Sequence, residues 1–313
     1  MYKRQSYCTF RADPDDPNAW TMLPEEVRST CADADRLGCV EALLCLGDKP
    51  EKAFRAYRAT LAALGCTSTV EYVARASEIA LEEGLLPHTN AGVMSAAEMA
   101  LLKHTNVSLG LMLENVSPRL RAKGEAHYYA PDKDPELRLA MIDEAGRQQI
   151  PFTTGLLLGI GETLEECVDS LLAIGALQER HGHIQEIIIQ NFRAKATTAW
   201  AGRPEPESVL MAKTIAVARL LMPAMNIQAP PNLSPYDHRL FLHSGINDWG
   251  GISPLTPDFV NPEAPWPHVN TLADTCRDEG FDLQPRLPIY AEYIDRPGFL
   301  DPALLPTVRR CAE

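Results

Sequence analysis

The sequence predicts an α/β protein: a partial parallel β/α barrel, lacking its first strand, with a Pro-rich, loop-containing C-terminal extension. Three observations point there. Short apolar runs alternate with helical stretches from residue 23 to 229, polar residues recur just after successive apolar runs, and the alternation stops at Pro230. Strands separated by helices pair in parallel through crossovers. Polar residues gathered after strand ends suit the face of a barrel on which sites are built.

Each element has a local cause. Leu23 to Leu37 reads as a helix, with an early proline, acids in its first turn and Gly38 to stop it. Cys39 to Leu46 is a short apolar run ended by Gly47-Asp48, as expected of a buried parallel strand. Helical stretches follow at Lys52–Leu64 and Val70–Glu83, the second preceded by Ser68 and Thr69 as caps. Strands at 85–89, 107–113, 152–158, 184–192 and from 226 then alternate with helices at 96–103, 135–149, 164–179 and 206–222. This gives six strands and a division into residues 7–230 as the barrel and 231–313 as an extension packed on it. Gly245 to Ser253 and Asn261 to Pro267 are irregular, the composition of a binding loop or lid.

Composition narrows the function. The chain has 313 residues, 45% of them hydrophobic, enough for a large core. A formal net charge of -13 opposes attraction to nucleic-acid phosphates or anionic lipid, so neither is an expected partner. No run approaches the roughly 20 apolar residues of a membrane span, and the amino terminus lacks a secretory apolar core. A cytoplasmic protein acting on a small molecule is expected. The eight cysteines show no C-x-x-C pair, and neither His181 with His183 nor His238 with His243 has a metal-site spacing. Surface or capping roles are expected for these histidines.

Two motifs carry chemistry. Gly155-Leu-Leu-Leu-Gly159-Ile-Gly161-Glu162 follows the form G-x-x-x-G-x-x-E, with Thr163 and Glu166 as a capping box behind it. Its glycines serve either the approach of a flat ligand to the backbone or a tight strand-to-helix turn. The other motif is Ser6-Tyr7-Cys8-Thr9-Phe10.

Taken together, these motifs give a chain that resembles the radical S-adenosylmethionine superfamily, in which a Cys-x3-Cys-x2-Cys loop holds three irons of a 4Fe-4S cluster. Leu46-Gly-Asp-Lys-Pro-Glu51, Leu86-Pro-His-Thr-Asn-Ala-Gly92, Met112-Leu-Glu114, Gln190-Asn-Phe-Arg-Ala-Lys195, Gln228-Ala-Pro-Pro-Asn232 and Gly245-Ile-Asn-Asp-Trp-Gly-Gly251 narrow it. In this order, between Tyr7 and about Tyr293, they look like the 7,8-didemethyl-8-hydroxy-5-deazariboflavin synthases. The resemblance implies a lyase that closes the deazaflavin ring of coenzyme F420. Its substrate is the adduct of tyrosine and ribitylaminouracil made by a partner synthase, which is a subunit or a fused domain.

The resemblance assigns Cys8 to the cluster and Tyr7, Gly47, Asp48, Glu51, Glu114, Gly155, Gly159 and Glu162 to S-adenosylmethionine. Substrate contacts fall to Thr89, Asn90, Gln190, Asn191 and Lys195, with Asn247, Asp248 and Trp249 closing over the adduct and Trp249 stacking on a ring. It names no catalytic acid or base. The cluster pattern also requires cysteines at positions 5 and 1, which here are Gln5 and Met1. Gln cannot replace a thiolate on iron, and Met1 offers only a thioether. The expectation is a chain that starts inside the cluster loop, as a shortened or mis-assembled product, inactive as written. A sibling radical enzyme, either the partner synthase or a futalosine cyclase, and a cluster-less binding scaffold are the alternative readings.

Overall fold

A computed structural model describes residues 7–10, 16 and 19–313. Six parallel strands lie in sequence order: β1 (Glu41–Cys45), β2 (Leu86–Asn90), β3 (Ser108–Gly110), β4 (Phe152–Leu158), β5 (Ile184–Asn191) and β6 (Ile227–Gln228). Helix α1 (Pro24–Arg36) precedes them. The crossovers are α2 (Pro50–Ala53), α3 (Arg55–Ala63) and α4 (Thr69–Glu82), then α5 (Ala96–Lys103), α6 (Pro135–Arg147), α7 (Leu164–His181) and α8 (Ser208–Leu221). The extension adds α9 (His238–Ser244), α10 (Val269–Asp278), α11 (Ala291–Ile294) and α12 (Leu305–Ala312). None of these helices is long and apolar enough to cross a membrane, among the described residues.

Capping fixes where helices start. Ser68, Ser95 and Thr163 each accept a hydrogen bond from the backbone N–H three residues on, and Glu98 and Glu166 complete capping boxes. The apolar faces behind these caps pack on the sheet: Leu109, Phe152, Leu156, Ile187 and Ile227 share one core with Met99, Ile142, Leu171, Ile174 and Ile215.

The sheet is curled. Asp248 bridges Gln228 of β6, and a side chain built at Gly251, three residues on, would lie 3.5 Å from Glu41 Oε2 of β1. In a flat sheet β1 and β6 would stand about 24 Å apart, five spacings of about 4.8 Å. Among the described residues β1 pairs on one side only, with β2, and its Leu43 is 61% exposed. The tightest pairing is between β4 and β5, which shift register at Phe152/Thr153. There a Cβ on Gly155 would meet the Ile188 carbonyl oxygen at 2.0 Å, so the strands close only around glycine.

The extension plugs the amino ends of the strands. Ser108 and Gln185 side chains both donate to the Pro288 carbonyl, at 2.6 and 3.1 Å. Arg286 donates to Glu186 Oε1 at 2.8 Å and grips Asp248, which also accepts from Tyr290 Oη at 2.6 Å. Beneath, Ile289, Tyr293, Phe299 and Val308 form an apolar layer with Leu86 and Val107. Burial, with Asp248 and Glu41 adding to it, pushes Glu186 up to about 8 despite the Arg286 beside it.

Candidate active site

At the opposite, carboxyl ends of the strands lies a cleft of about 310 Å³, its open side included. Tyr7 and Cys8 form one wall, Leu157 of β4 and Gln190 to Arg193 at the end of β5 the floor, and Lys195, Val260 and Asn261 the far side. Residues 7–8, the strand-five motif and the irregular part of the extension, far apart in sequence, meet here.

Tyr7 is the anchor of its wall. Its ring packs edge-on against Phe192 and beside Trp200, with centroids 6.3 and 5.9 Å away, and its hydroxyl lies 3.1 Å from His127 Nε2. Burial, then the Glu114 carboxylate, raises the phenol well above its ordinary value, and burial lowers His127 to about 4. The pair is therefore a hydrogen bond between neutral groups at pH 7. Below it Glu114 holds a left-handed backbone (φ 67°) and pairs with Lys133 in a buried ion pair. Burial alone would raise Glu114, but Lys133 and Arg138 outweigh it and the carboxyl lies below its usual range. A non-glycine residue in this conformation is sterically costly, and such strain is concentrated at functional sites.

On the far side Lys195 Nζ donates to Asn261 Oδ1 at 2.7 Å and lies 3.5 Å from Glu263. Asp258 holds this loop through the backbone N–H groups of Val260 and Asn261, at 2.9 and 3.0 Å, and through Asn232 Nδ2 at 2.9 Å. The proline-rich stretch is thus laced to the barrel rim by polar contacts rather than by an apolar face.

Of the residues expected to bind substrate, Gln190, Asn191 and Lys195 line the cleft. Asn90 ends β2 on the same strand face as His88, which turns inward to Ser108 of β3 at 2.6 Å. Thr89 does not join them. Strand alternation turns it outward, where its hydroxyl donates to Asn106 Oδ1 at 2.7 Å in a buried contact behind the sheet.

The three loop residues are also placed elsewhere. Asn247 Oδ1 accepts from Ile227 N at 2.8 Å and Arg219 at 2.9 Å, at the amino end of β6. Asp248 belongs to the Arg286 plug. Trp249 is buried in the core against His238, with rings 5.1 Å apart, and so is packed rather than poised over a ligand. The segment runs beside β6 as a short parallel strand, with Asn247 N donating to Ile227 O and Ala229 N to Asp248 O, and this carries it away from the mouth.

The residues expected to hold S-adenosylmethionine divide in the same way. The Glu51 carboxylate accepts from the Thr69 N–H at 3.3 Å and from its hydroxyl, which commits it to the head of α4. Glu162 accepts from the N–H groups of Gly159 and Ile160, at 2.6 and 2.8 Å, and stabilises the turn after β4. A side chain at Gly159 (φ 90°) would strike Pro206, so both glycines of this motif answer to the backbone and its neighbours. Gly47 is exposed after β1, and Asp48 lies over Gly92, leaving no room there for a Cβ. The histidines are structural. His183 is fully buried on the Ile142 carbonyl rather than at the surface, and His181 and His243 pair with Asp143 and Glu279.

A cluster with one open iron needs three thiolates. Cys8 is half-buried at the cleft wall, and among the described residues no three His, Cys, Asp or Glu side chains are grouped to hold a metal. Met1 and Gln5 lie outside the described residues, and neither is a thiolate. The donors present do not fit the cluster. His127, Lys133, Arg193, Asn232 and Asn261 were not singled out by sequence reasoning. Arg193 lay inside the strand-five motif, and the polar-aromatic run from His127 to Asp134 was the signal for the first two.

No family model matches the chain. It is 46% identical over 302 residues to the 7,8-didemethyl-8-hydroxy-5-deazariboflavin synthase of Methanothermobacter thermautotrophicus, covering 96% of this chain and 90% of that protein. It is 44% identical over 294 residues to the synthase of the same name from Methanopyrus kandleri, covering 94% and 88%. A 48% match to the FO synthase of Mycobacterium tuberculosis covers 95% of this chain and 36% of that protein. Among solved structures, methylornithine synthase superposes with a TM-score of 0.69 at 19% identity, over 91% of this chain and 80% of that one. An FeFe-hydrogenase maturase from Carboxydothermus hydrogenoformans gives 0.69 at 16%, over 90% and 64%. These two likenesses establish the fold.

Proposed function

The chain belongs to the 7,8-didemethyl-8-hydroxy-5-deazariboflavin synthase family, and on that premise we propose that its cleft serves the closure of a deazaflavin ring on the route to coenzyme F420. The substrate is 5-amino-5-(4-hydroxybenzyl)-6-(D-ribitylimino)-5,6-dihydrouracil, supplied by a partner synthase, and ring closure releases ammonia. The observation that carries this reading is the meeting of Tyr7-Cys8 with Gln190, Asn191 and Lys195 in one cleft at the strand carboxyl ends. Barrel enzymes place their chemistry on that face.

The reaction class requires a 4Fe-4S cluster and S-adenosylmethionine, and the donor set of this chain does not hold the cluster. We therefore read the chain as a family member that retains the substrate cleft and does not turn over as its sequence stands. The sibling-enzyme alternatives are disfavoured because the ring-closing relatives match along 88–90% of their own length.

The test is repair. Gln5→Cys combined with Met1→Cys behind a short leader, reconstituted anaerobically and given adduct, reductant and S-adenosylmethionine, should yield the tricyclic product by mass. Absence of product from a repaired chain that carries four irons would sink the assignment.

A further inference from the structure

His88 of β2 is held by a chain of hydrogen bonds that can run in only one direction. Ser108 Oγ lies 2.6 Å from the Pro288 carbonyl oxygen and 2.6 Å from His88 Nδ1. The carbonyl only accepts, so the single hydroxyl proton of Ser108 is spent on it, and Nδ1 is the atom that donates to Ser108. Burial, then Arg286, lowers the ring to about 4, so it is neutral at pH 7. A neutral ring with its proton on Nδ1 leaves Nε2 as a bare acceptor.

That acceptor is open to the barrel interior. Among the described residues it has no hydrogen-bond partner, and it is not one of the five unpartnered side-chain atoms sealed from solvent, as His183 Nδ1 is. Two neighbours leave the space. Gly110 of β3 presents no side chain there, where a Cβ would stand 2.9 Å from Nε2. Leu43 of β1 pairs in register with His88, and because Ala42 and Leu44 pack outward against α1 and α4, Leu43 faces inward, where it is 61% exposed. On β4 and β5 the same interior face reaches the cleft through Leu157 and Gln190.

A bare acceptor beside an apolar side chain selects among ligand groups. A carboxylate or phosphate has no proton to give, and an imide N–H would set its flanking carbonyls against Leu43 and Gly110, whose side chains offer no donor. A phenol gives one O–H to Nε2 and sets an apolar ring against Leu43. Its ordinary value of about 10 keeps the proton on the phenol, so the contact is a hydrogen bond without transfer.

We propose that His88 is a specificity-determining residue that accepts, through Nε2, the hydroxyl of a phenol-bearing ligand. The inference rests on the ring-closing reading, in which the 4-hydroxybenzyl group is that phenol. Calorimetric titration of the chain as it exists tests it, with the 5-(4-hydroxybenzyl) adduct and its 5-benzyl counterpart as probes. The phenol should bind at least ~10-fold more tightly, since a site built around a hydrogen bond rejects a ligand that cannot make it. His88→Phe keeps a ring but has no acceptor, and should bring the ratio close to one. Gly110→Ala leaves His88 in place and sets a methyl group against Nε2. It should do the same, and it carries the test if His88→Phe does not fold.

Equal binding of both probes by the unaltered chain, or a ratio unchanged in either folded variant, overturns this inference and leaves the ring-closing reading intact. Binding of neither probe overturns both.

Discussion

The two ends of this barrel are built on opposite plans. At the amino ends of the strands the C-terminal segment supplies partners for buried polar groups: Arg286 answers Glu186 and Asp248, Tyr290 answers Asp248, and Ser108 and Gln185 share the Pro288 carbonyl, although His183 Nδ1, just before β5, is buried without a partner. At the carboxyl ends an open cleft takes the place of such a plug, lined by Tyr7, Cys8, Gln190, Asn191, Arg193 and Lys195. One end is closed by the C-terminal segment and the other is left open as a cleft.

The sharpest way to break the contrast is at the plug. Arg286→Met leaves the Asp248 carboxylate without its cation and Glu186 without a donor, and removing one partner of a buried pair costs about 3–5 kcal/mol. Denaturant unfolding should show a loss of that size; a change under 1 kcal/mol would mean that the plug does not hold the barrel.

A smaller effect is expected at the cleft wall. Tyr7→Phe leaves His127 Nε2 buried and unpaired, for a cost of about 1–3 kcal/mol. The change should also raise the rate at which an alkylating reagent reaches Cys8, because Tyr7 packs the wall that contains it. An unchanged alkylation rate would place the role of Tyr7 in stability alone.

A third test uses pH to isolate the plug. Glu186 is raised to about 8 in the folded chain against about 4.3 unfolded, so the fold keeps a proton that the unfolded chain releases between those values. Its contribution is full below about pH 4.3 and is lost as pH rises through about 8. Glu186→Gln should flatten the alkaline limb of a stability profile, the fall between about pH 4.3 and 8, by up to one proton, ~1.4 kcal/mol per pH unit. The acid limb should stay, since burial first of all lowers His88, His127 and His183 to about 4, and their neutral-state stabilisation is lost as pH falls towards that value. A slope that survives in Glu186→Gln would assign the alkaline limb to other groups.

The six strands and their order were legible because apolar period and helix caps are local signals, and each strand falls within a residue or a few of the run that announced it. Lys195 and the Gln190-Asn191 pair were legible for the same reason: they end a strand, and strand ends converge in a barrel. The placement of the loop around Trp249 is not legible, because composition shows that a segment is irregular but not which end of the barrel it reaches. Its pairing with Gln228 turns it inward and down. The local bonds of Glu51 and Glu162 are not legible either: a carboxylate near a strand end suits a cofactor or a turn equally, and here both accept from nearby backbone N–H groups. Arg193 and Asn232 sit inside quoted motifs, but their buried contacts are not legible there, because those are defined by what surrounds them.

The proposed reading is of a cleft retained beside a cluster loop that has Gln5 and Met1 where the resemblance calls for cysteines. Iron and sulfide counting after anaerobic reconstitution of the chain as it stands, with 5'-deoxyadenosine measured on addition of reductant and S-adenosylmethionine, tests that directly. The account predicts well under four irons per chain and no 5'-deoxyadenosine. Four irons with sustained cleavage would contradict it.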